Sequence, residues 1–148
     1  MSRRGTLGEV SDHFTLRLPE GVAERLQRRS RVVGAAPRSL AARYVDEGLR
    51  HDDHPLIHFV DGETGRRAAL LGTGLDVWEV IATVRDNDND NDLAAAADYL
   101  CVPAGRVEAV VGYYGEFPEE IDEEIALNEA ESERGLATWQ NGQAALRR

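Results

Sequence analysis

Residues 13–18 read His-Phe-Thr-Leu-Arg-Leu, and this alternation of polar and apolar side chains decides how the N-terminal part of the chain folds. A period of two residues predicts a β-strand with one apolar face and one polar face. The apolar side chains are Phe14, Leu16 and Leu18. The polar side chains are His13, Thr15 and Arg17.

Two helices are predicted directly after this strand. From Val22 the apolar residues recur at helical spacing as far as Gly34, and a glycine suits the end of a helix. Pro37 and Ser39 then provide the start of a second helix. The predicted order of elements is therefore strand, helix, helix.

A single strand cannot satisfy its own backbone hydrogen bonds, so we expect it to pair with the same strand of a second copy. Two antiparallel copies form a ribbon that fits the major groove of B-DNA. The predicted dimer core consists of Phe14, Leu16, Leu18, Leu26, Leu40 and Val45. The predicted DNA contacts are His13, Thr15 and Arg17 on bases, Arg38 and Ser39 at a phosphate, and Arg3 and Arg4 on the backbone.

These residues resemble the ribbon-helix-helix family of repressors. The resemblance rests on residues 13–19, on the sequence Ala-Glu-Arg-Leu at residues 23–26, and on residues 34–41. It implies a homodimer that binds operator DNA. The alternative is a dimerisation module, or a helical hairpin with one edge strand, that does not bind DNA.

The rest of the chain is predicted to be mostly helical after one β-hairpin. The apolar segments 56–60 and 67–71 flank an Asp-Gly-Glu-Thr-Gly turn, which is a hairpin signal. Helix-start signals follow at Asp76, Leu93, Pro103 and Pro118. We expect a mainly α fold with short β elements, divided into a basic arm (1–11), a ribbon-helix-helix domain (12–51), a hairpin and helical domain (52–126) and a C-terminal tail (127–148).

The hairpin and helical domain is similar to domain-of-unknown-function family 433, whose members have a small helix-turn-helix-like fold. The similar stretches are residues 74–80, 107–114 and 118–122, within residues 56–125. Members usually carry a glycine-led loop between the first two helices, where this chain has the longer run 87–92. That family often occurs in antitoxins of the VapB kind.

Charge is distributed unevenly along the chain, whose formal net charge is -10. Residues 1–50 contain ten arginines and six acidic residues, a net charge of +4. The remaining residues contain seven arginines and 21 acidic residues, a net charge of -14. Such asymmetry is typical of a protein whose basic end binds nucleic acid and whose acidic end meets another partner.

Together the two resemblances imply a type II antitoxin that neutralises a PIN-like (VapC-type) ribonuclease toxin and represses its own operon as a homodimer. The candidate toxin contacts near the C-terminus are Ile125, Leu136, Trp139, Arg147 and Arg148. In the alternative interpretation of this region, Ile125 packs in the core of its own domain and the last residues are disordered. The alternative function is a stand-alone ribbon-helix-helix regulator without a toxin.

We expect no enzymatic activity, no cofactor and no metal ion, although a small hydrolase or metal enzyme is a further alternative. Residues 86–92 imitate the first half of a calcium loop, but Asn91 replaces the turn glycine and Ala97 the closing glutamate. The histidines have no cysteine partners and suit neither one helix face nor a zinc finger. They are His13 and the linker residues His51, His54 and His58.

Composition favours a soluble, cytoplasmic protein. The single cysteine, Cys101, cannot form an intramolecular disulfide, and we expect it in the core. No apolar run approaches the roughly 20 residues that span a bilayer. The N-terminus also lacks the apolar stretch of a signal peptide, so we expect no contact with a membrane.

Overall fold

A computed structural model describes residues 15–62, 65–86 and 91–147 of the chain. These residues form a mainly helical protein with one two-stranded antiparallel sheet, as predicted. The helices are α1 (Val22–Val33), α2 (Pro37–Asp53), α3 (Val77–Arg85), α4 (Leu93–Leu100), α5 (Ala104–Glu116) and α6 (Pro118–Leu146). The strands are β1 (Ile57–Gly62) and β2 (Gly65–Leu70).

The chain forms two compact units that divide within α2, the first ending at Tyr44 and the second beginning at Val45. The sequence pattern predicts a boundary after residue 51, but α2 continues to Asp53 without a break. The predicted start of a separate tail at residue 127 also falls inside a helix, because α6 runs continuously from Pro118 to Leu146.

The two helices of the first unit are separated by a glycine turn, as predicted. Gly34 ends α1 with a left-handed backbone (φ 68°), which a residue without Cβ adopts at little cost. The buried hydroxyl of Ser30 donates a hydrogen bond to the carbonyl of Ala35 and so fixes the turn. Leu40 follows in the first part of α2 and is buried, with 1% of its surface exposed.

The described residues of the predicted N-terminal strand do not form a strand within a single copy of the chain. Residues 15–19 adopt neither helix nor strand, and His13 and Phe14 lie outside the described residues. A strand is defined by hydrogen bonds to a neighbouring strand, and no segment in the described part of the chain supplies them here. The ribbon between two copies therefore stays a prediction.

The second unit is built from the C-terminal part of α2, the predicted hairpin and helices α3 to α6. β1 and β2 pair antiparallel, with Ile57 opposite Leu70 and Gly62 opposite Gly65. The central helix α3 packs against β2, α4, α5 and α6. Side chains from the hairpin and these helices form one apolar core: Ile57, Ala68, Leu70, Val77, Val80, Ile81, Val84, Ala96, Ala97, Val107, Val110, Tyr113 and Ile121.

Helix starts in the second unit follow the predicted signals. The Asp76 side chain accepts a hydrogen bond from the backbone of Glu79, whose carboxylate accepts one from the Asp76 N–H at 2.7 Å. Asp92 likewise accepts hydrogen bonds from N–H groups in the first turn of α4. Pro103 directly precedes α5, and Pro118 occupies the first turn of α6.

Cys101 is exposed, so the prediction of a core position is wrong. This residue follows α4 with a left-handed backbone (φ 56°), and its N–H bonds back to the carbonyls of Ala97 and Asp98. Because the chain turns away from the helix at this point, the side chain leaves the apolar face of α4.

Of the three histidines that were predicted to lie in a linker, two lie in α2 and β1, and His54 lies between these elements. His51 lies in α2, and its Nδ1 is 2.8 Å from the carbonyl oxygen of Ile57. His58 lies in β1. The ring of His54 packs edge-on against Tyr113, and its Nε2 is 3.2 Å from a carboxylate oxygen of Glu116.

Arg50 joins the C-terminal part of α2 to α5 and α6. Its guanidinium donates hydrogen bonds to the Tyr113 hydroxyl at 2.9 Å and to the Glu120 carboxylate at 2.7 Å. The same group lies 4.0 Å from the ring centroid of Phe117. Burial opposes the charge, but the hydrogen bonds to Glu120 and Tyr113 raise the pKa of Arg50 above its usual value. Arg50 is therefore a charged group held inside the fold.

Glu124 of α6 is a partly buried carboxyl group beside other carboxylates. Its Oε2 is buried and has no hydrogen-bond partner among the described residues. Burial, reinforced by the charges of Glu120 and Asp76, raises the pKa of Glu124 to about 7, against the opposing effect of Arg67. The side chain of Glu124 therefore binds a proton more readily in the folded chain.

We expect Arg50→Ala to lower the free energy of unfolding by about 2–4 kcal/mol, because Glu120 and Tyr113 lose a charged donor inside the fold. Urea unfolding would measure the loss. The matched control is Arg134→Ala, since Arg134 pairs with Glu131 on the surface with 71% of its side chain exposed. Equal effects of the two substitutions would show that Arg50 has no special structural role.

We expect Glu124→Gln to stabilise the protein at pH 8 by about 1–3 kcal/mol and to leave it nearly unchanged at pH 4. The folded pKa of Glu124, about 7, lies above the reference value of 4.5. Its stabilising contribution is therefore complete below pH 4.5 and is lost as the pH rises through 7. Urea unfolding at both pH values tests this, with the exposed Glu123→Gln as control. A gain that is the same at both pH values would contradict it.

Candidate functional site

The first unit presents a basic surface. Residues 15–44 contain seven arginines and only two carboxylates. Four exposed arginines lie on α1: Arg25, Arg28, Arg29 and Arg31. The first three are spaced by three and four residues and so share one helix face. This spacing is visible in the sequence, but the arginines of α1 were not among the predicted DNA contacts.

Thr15 and Arg17, two of the predicted base-reading residues, are both exposed in the segment before α1. Leu16 between them is also 60% exposed, whereas Leu18 is half-buried. In a single copy of the chain, apolar and polar side chains of this segment are therefore both exposed to solvent. The predicted residues that lie outside the described ranges are Arg3, Arg4, His13 and Phe14.

Arg38 and Ser39 lie in the first turn of α2 and are exposed, as a phosphate contact requires. This turn contains no acidic residue. The backbone N–H groups at a helix start carry a partial positive charge, to which Arg38 adds a full charge. The start of α2 is thus suited to an anion.

The predicted dimer core is only partly buried in one copy of the chain. Leu40 is buried and Leu26 half-buried, but Val45 is 47% exposed. Leu40 and Ser30 are the only buried residues among those that the structure describes in the first unit. Further exposed apolar side chains on α1 and α2 are Val32, Tyr44 and Leu49.

The C-terminal part of the chain forms the second half of α6, in which every side chain from Glu129 to Gly142 is exposed. Within it Leu136 is 56% exposed, Trp139 63% and Leu146 82%. Intervals of three and seven residues place these three side chains on one face of the helix. We call this row the α6 stripe. In the sequence Leu136 and Trp139 stand isolated, because their alignment depends on the helix continuing past residue 127.

Ile125 does not belong to the α6 stripe, and its position does not support the predicted toxin contact. It packs against the core of the second unit together with Ile121, as the alternative interpretation of this region holds. Arg147 is exposed and directly follows α6. Arg148 lies outside the described residues.

No group of three or more His, Cys, Asp or Glu side chains is arranged to hold a metal ion within residues 15–62, 65–86 and 91–147. In the same ranges, each helix is too short or too polar to cross a membrane. Comparisons of the chain with protein-family models, with curated proteins and with solved structures found no match.

Proposed function

We propose that this chain is a homodimeric, operator-binding antitoxin, whose N-terminal ribbon reads DNA and whose C-terminal helix holds a PIN-like ribonuclease toxin. The observation that carries the proposal is the lack of a core in the first unit, where Ser30 and Leu40 alone are buried among the described residues. So little buried surface does not stabilise a domain by itself. A second copy that covers Leu16 and the apolar side chains of α1 and α2 would complete the core.

Pairing of residues 13–18 between two copies would bury the apolar face of this segment and leave its polar face exposed. It satisfies the backbone hydrogen bonds and turns Leu16 and Leu18 toward the helices. Thr15 and Arg17 then stay exposed on the outer face of a two-stranded ribbon. An arginine in the major groove donates two hydrogen bonds to a guanine, so Arg17 is the main base contact.

The basic surface of the first unit supports DNA as the ligand of this ribbon. Phosphate contacts supply most of the affinity of such proteins, and exposed arginines provide them. Arg38 and Ser39 at the start of α2 would hold one phosphate, and the arginines of α1 lie in the same unit.

The α6 stripe supports the second part of the proposal, the binding of a toxin. Exposed Leu136, Trp139 and Leu146 on one helix face are suited to an apolar groove, and tryptophan is frequent among interface residues that dominate affinity. The acidic side chains of α6 complement the basic surface that a ribonuclease uses to bind RNA. Arg147 and Arg148 would reach carboxylates of the toxin. The proposal gives this chain no catalytic step and no cofactor.

We expect Arg17→Ala to weaken binding to a DNA fragment from the promoter of the chain's own gene by about 1–3 kcal/mol, or about 5- to 150-fold. Fluorescence anisotropy would measure affinity, and sedimentation equilibrium would show that the dimer persists. Arg134→Ala is the matched control, because Arg134 is an exposed arginine of α6. Unchanged affinity of the Arg17 variant, or a monomeric mass of the unaltered chain, would overturn the DNA-binding proposal.

We expect Trp139→Ala to reduce capture of the ribonuclease encoded beside this chain by at least about tenfold, because an interface anchor is removed. Co-purification of the two full-length proteins tests this, and DNA binding should not change. Tyr99→Ala is the matched control, since Tyr99 is 76% exposed on α4. Capture that is independent of Trp139 would contradict the assignment. Without any such ribonuclease, the chain would be a stand-alone regulator.

A further inference from the structure

The α6 stripe continues a helix face that is buried earlier in the same helix. Trp139 follows Ile121 by 18 residues, which is about five helical turns, so both side chains have the same angular position. Ile121 is buried in the core of the second unit, and Ile125 packs against that core. After the polar residues Asn128 and Ser132, the face that begins against the core is apolar again along the α6 stripe.

Two glycines lie within this exposed half of α6. Gly135 and Gly142 both weaken a helix relative to alanine. A Cβ at either position would meet nothing within 4 Å in the described chain, so its own packing gives no reason for glycine. A long helix in water also depends on packing rather than on propensity. These features favour a partner that approaches the backbone of α6 closely.

Charges at the edge of the stripe indicate which partner this is. Glu129 and Arg147 are both exposed and are 18 residues apart, about five turns or about 27 Å, so they flank the stripe on the same side. When two identical helices pair antiparallel, the same flanks meet. Glu129 of each copy then lies opposite Arg147 of the other, whereas in a parallel pair this flank would face the opposite flank of the second helix.

A cleft beside the α6 stripe lies where the C-terminal end of the second helix would lie in such a pair. It has a volume of about 290 Å³ and is lined by Trp78, Asn128, Glu129, Ser132 and Glu133. When Glu129 lies opposite Arg147, Leu146 of the second copy falls opposite residue 130 and next to this cleft. Leu146 is 82% exposed in one copy, and contact with the ring of Trp78 would cover it.

We infer that α6 pairs antiparallel with α6 of a second copy in the toxin-free protein, through the α6 stripe and two Glu129–Arg147 ion pairs. The inference rests on the proposed function only in that the same stripe is assigned to the toxin. Self-pairing and toxin binding then exclude each other, so the free antitoxin covers its own toxin-binding surface.

Disulfide cross-linking of the full-length chain tests this pairing. Glu129→Cys and Arg147→Cys are introduced together with C101S, which removes the exposed native thiol. Mild oxidation at micromolar concentration is expected to link most chains into a covalent pair that a reducing agent separates. Each single variant is expected to link poorly, because its two thiols lie about 27 Å apart in an antiparallel pair.

The matched control is Glu123→Cys combined with Arg147→Cys, since Glu123 is exposed but lies off the flank of the stripe. Adding Trp139→Glu to the test variant should lower its yield at least fivefold. The inference is overturned if the test variant links no better than this control, or if either single variant links as well.

Failure of the inference is distinguishable from failure of the proposed function. The unaltered chain is assayed separately for binding of promoter DNA and of the adjacent ribonuclease. Retained binding of both without cross-linking overturns self-pairing alone. Cross-linking that the ribonuclease does not suppress overturns the exclusion between the two partners, and cross-linking without DNA binding overturns the proposed operator role.

Discussion

The arrangement of α5 and α6 in the second unit depends on the contacts of the Arg50 guanidinium. This group donates to the Tyr113 hydroxyl of α5 and to the Glu120 carboxylate of α6, and it lies over the ring of Phe117 between these helices. An arginine suits this position because its planar group forms several hydrogen bonds and stacks at the same time. One side chain of α2 thus fixes the end of α5 and the start of α6, from which the exposed half of α6 continues.

The two units use their apolar residues in opposite ways. The second unit buries Tyr113, Ile121 and eleven other residues in one core, so it resembles an ordinary small domain. The first unit leaves Leu16, Val32 and Tyr44 exposed and has little buried surface of its own among the described residues. In the proposed homodimer, association would supply the stability that the first unit lacks alone, as in many small DNA-binding modules that fold as dimers. The proposed operator binding would then depend on protein concentration, because only the associated first unit has a complete core.

The sequence predicted most of the local structure and little of the long-range structure. Gly34, Asp76, Asp92 and Pro118 act through neighbouring backbone groups, so the helix boundaries at these residues were readable. The Arg50 contacts span 63 and 70 residues, and no local spacing indicates them. Of the α6 stripe, Leu136 and Trp139 were predicted as contacts, but their alignment with Leu146 was not. The glycines and polar residues in the second half of α6 obscure its helical pattern in the sequence. The helix that brings the three side chains onto one face was therefore not predicted.

Because Cys101 is exposed, the core of the second unit does not depend on the chemical state of its thiol. Its side chain lies at the surface just after α4, outside the apolar core of the second unit. Alkylation or oxidation of this thiol would add atoms at the surface rather than in the apolar core. The packing of the second unit is therefore indifferent to redox conditions, and an oxidising environment would leave its core intact.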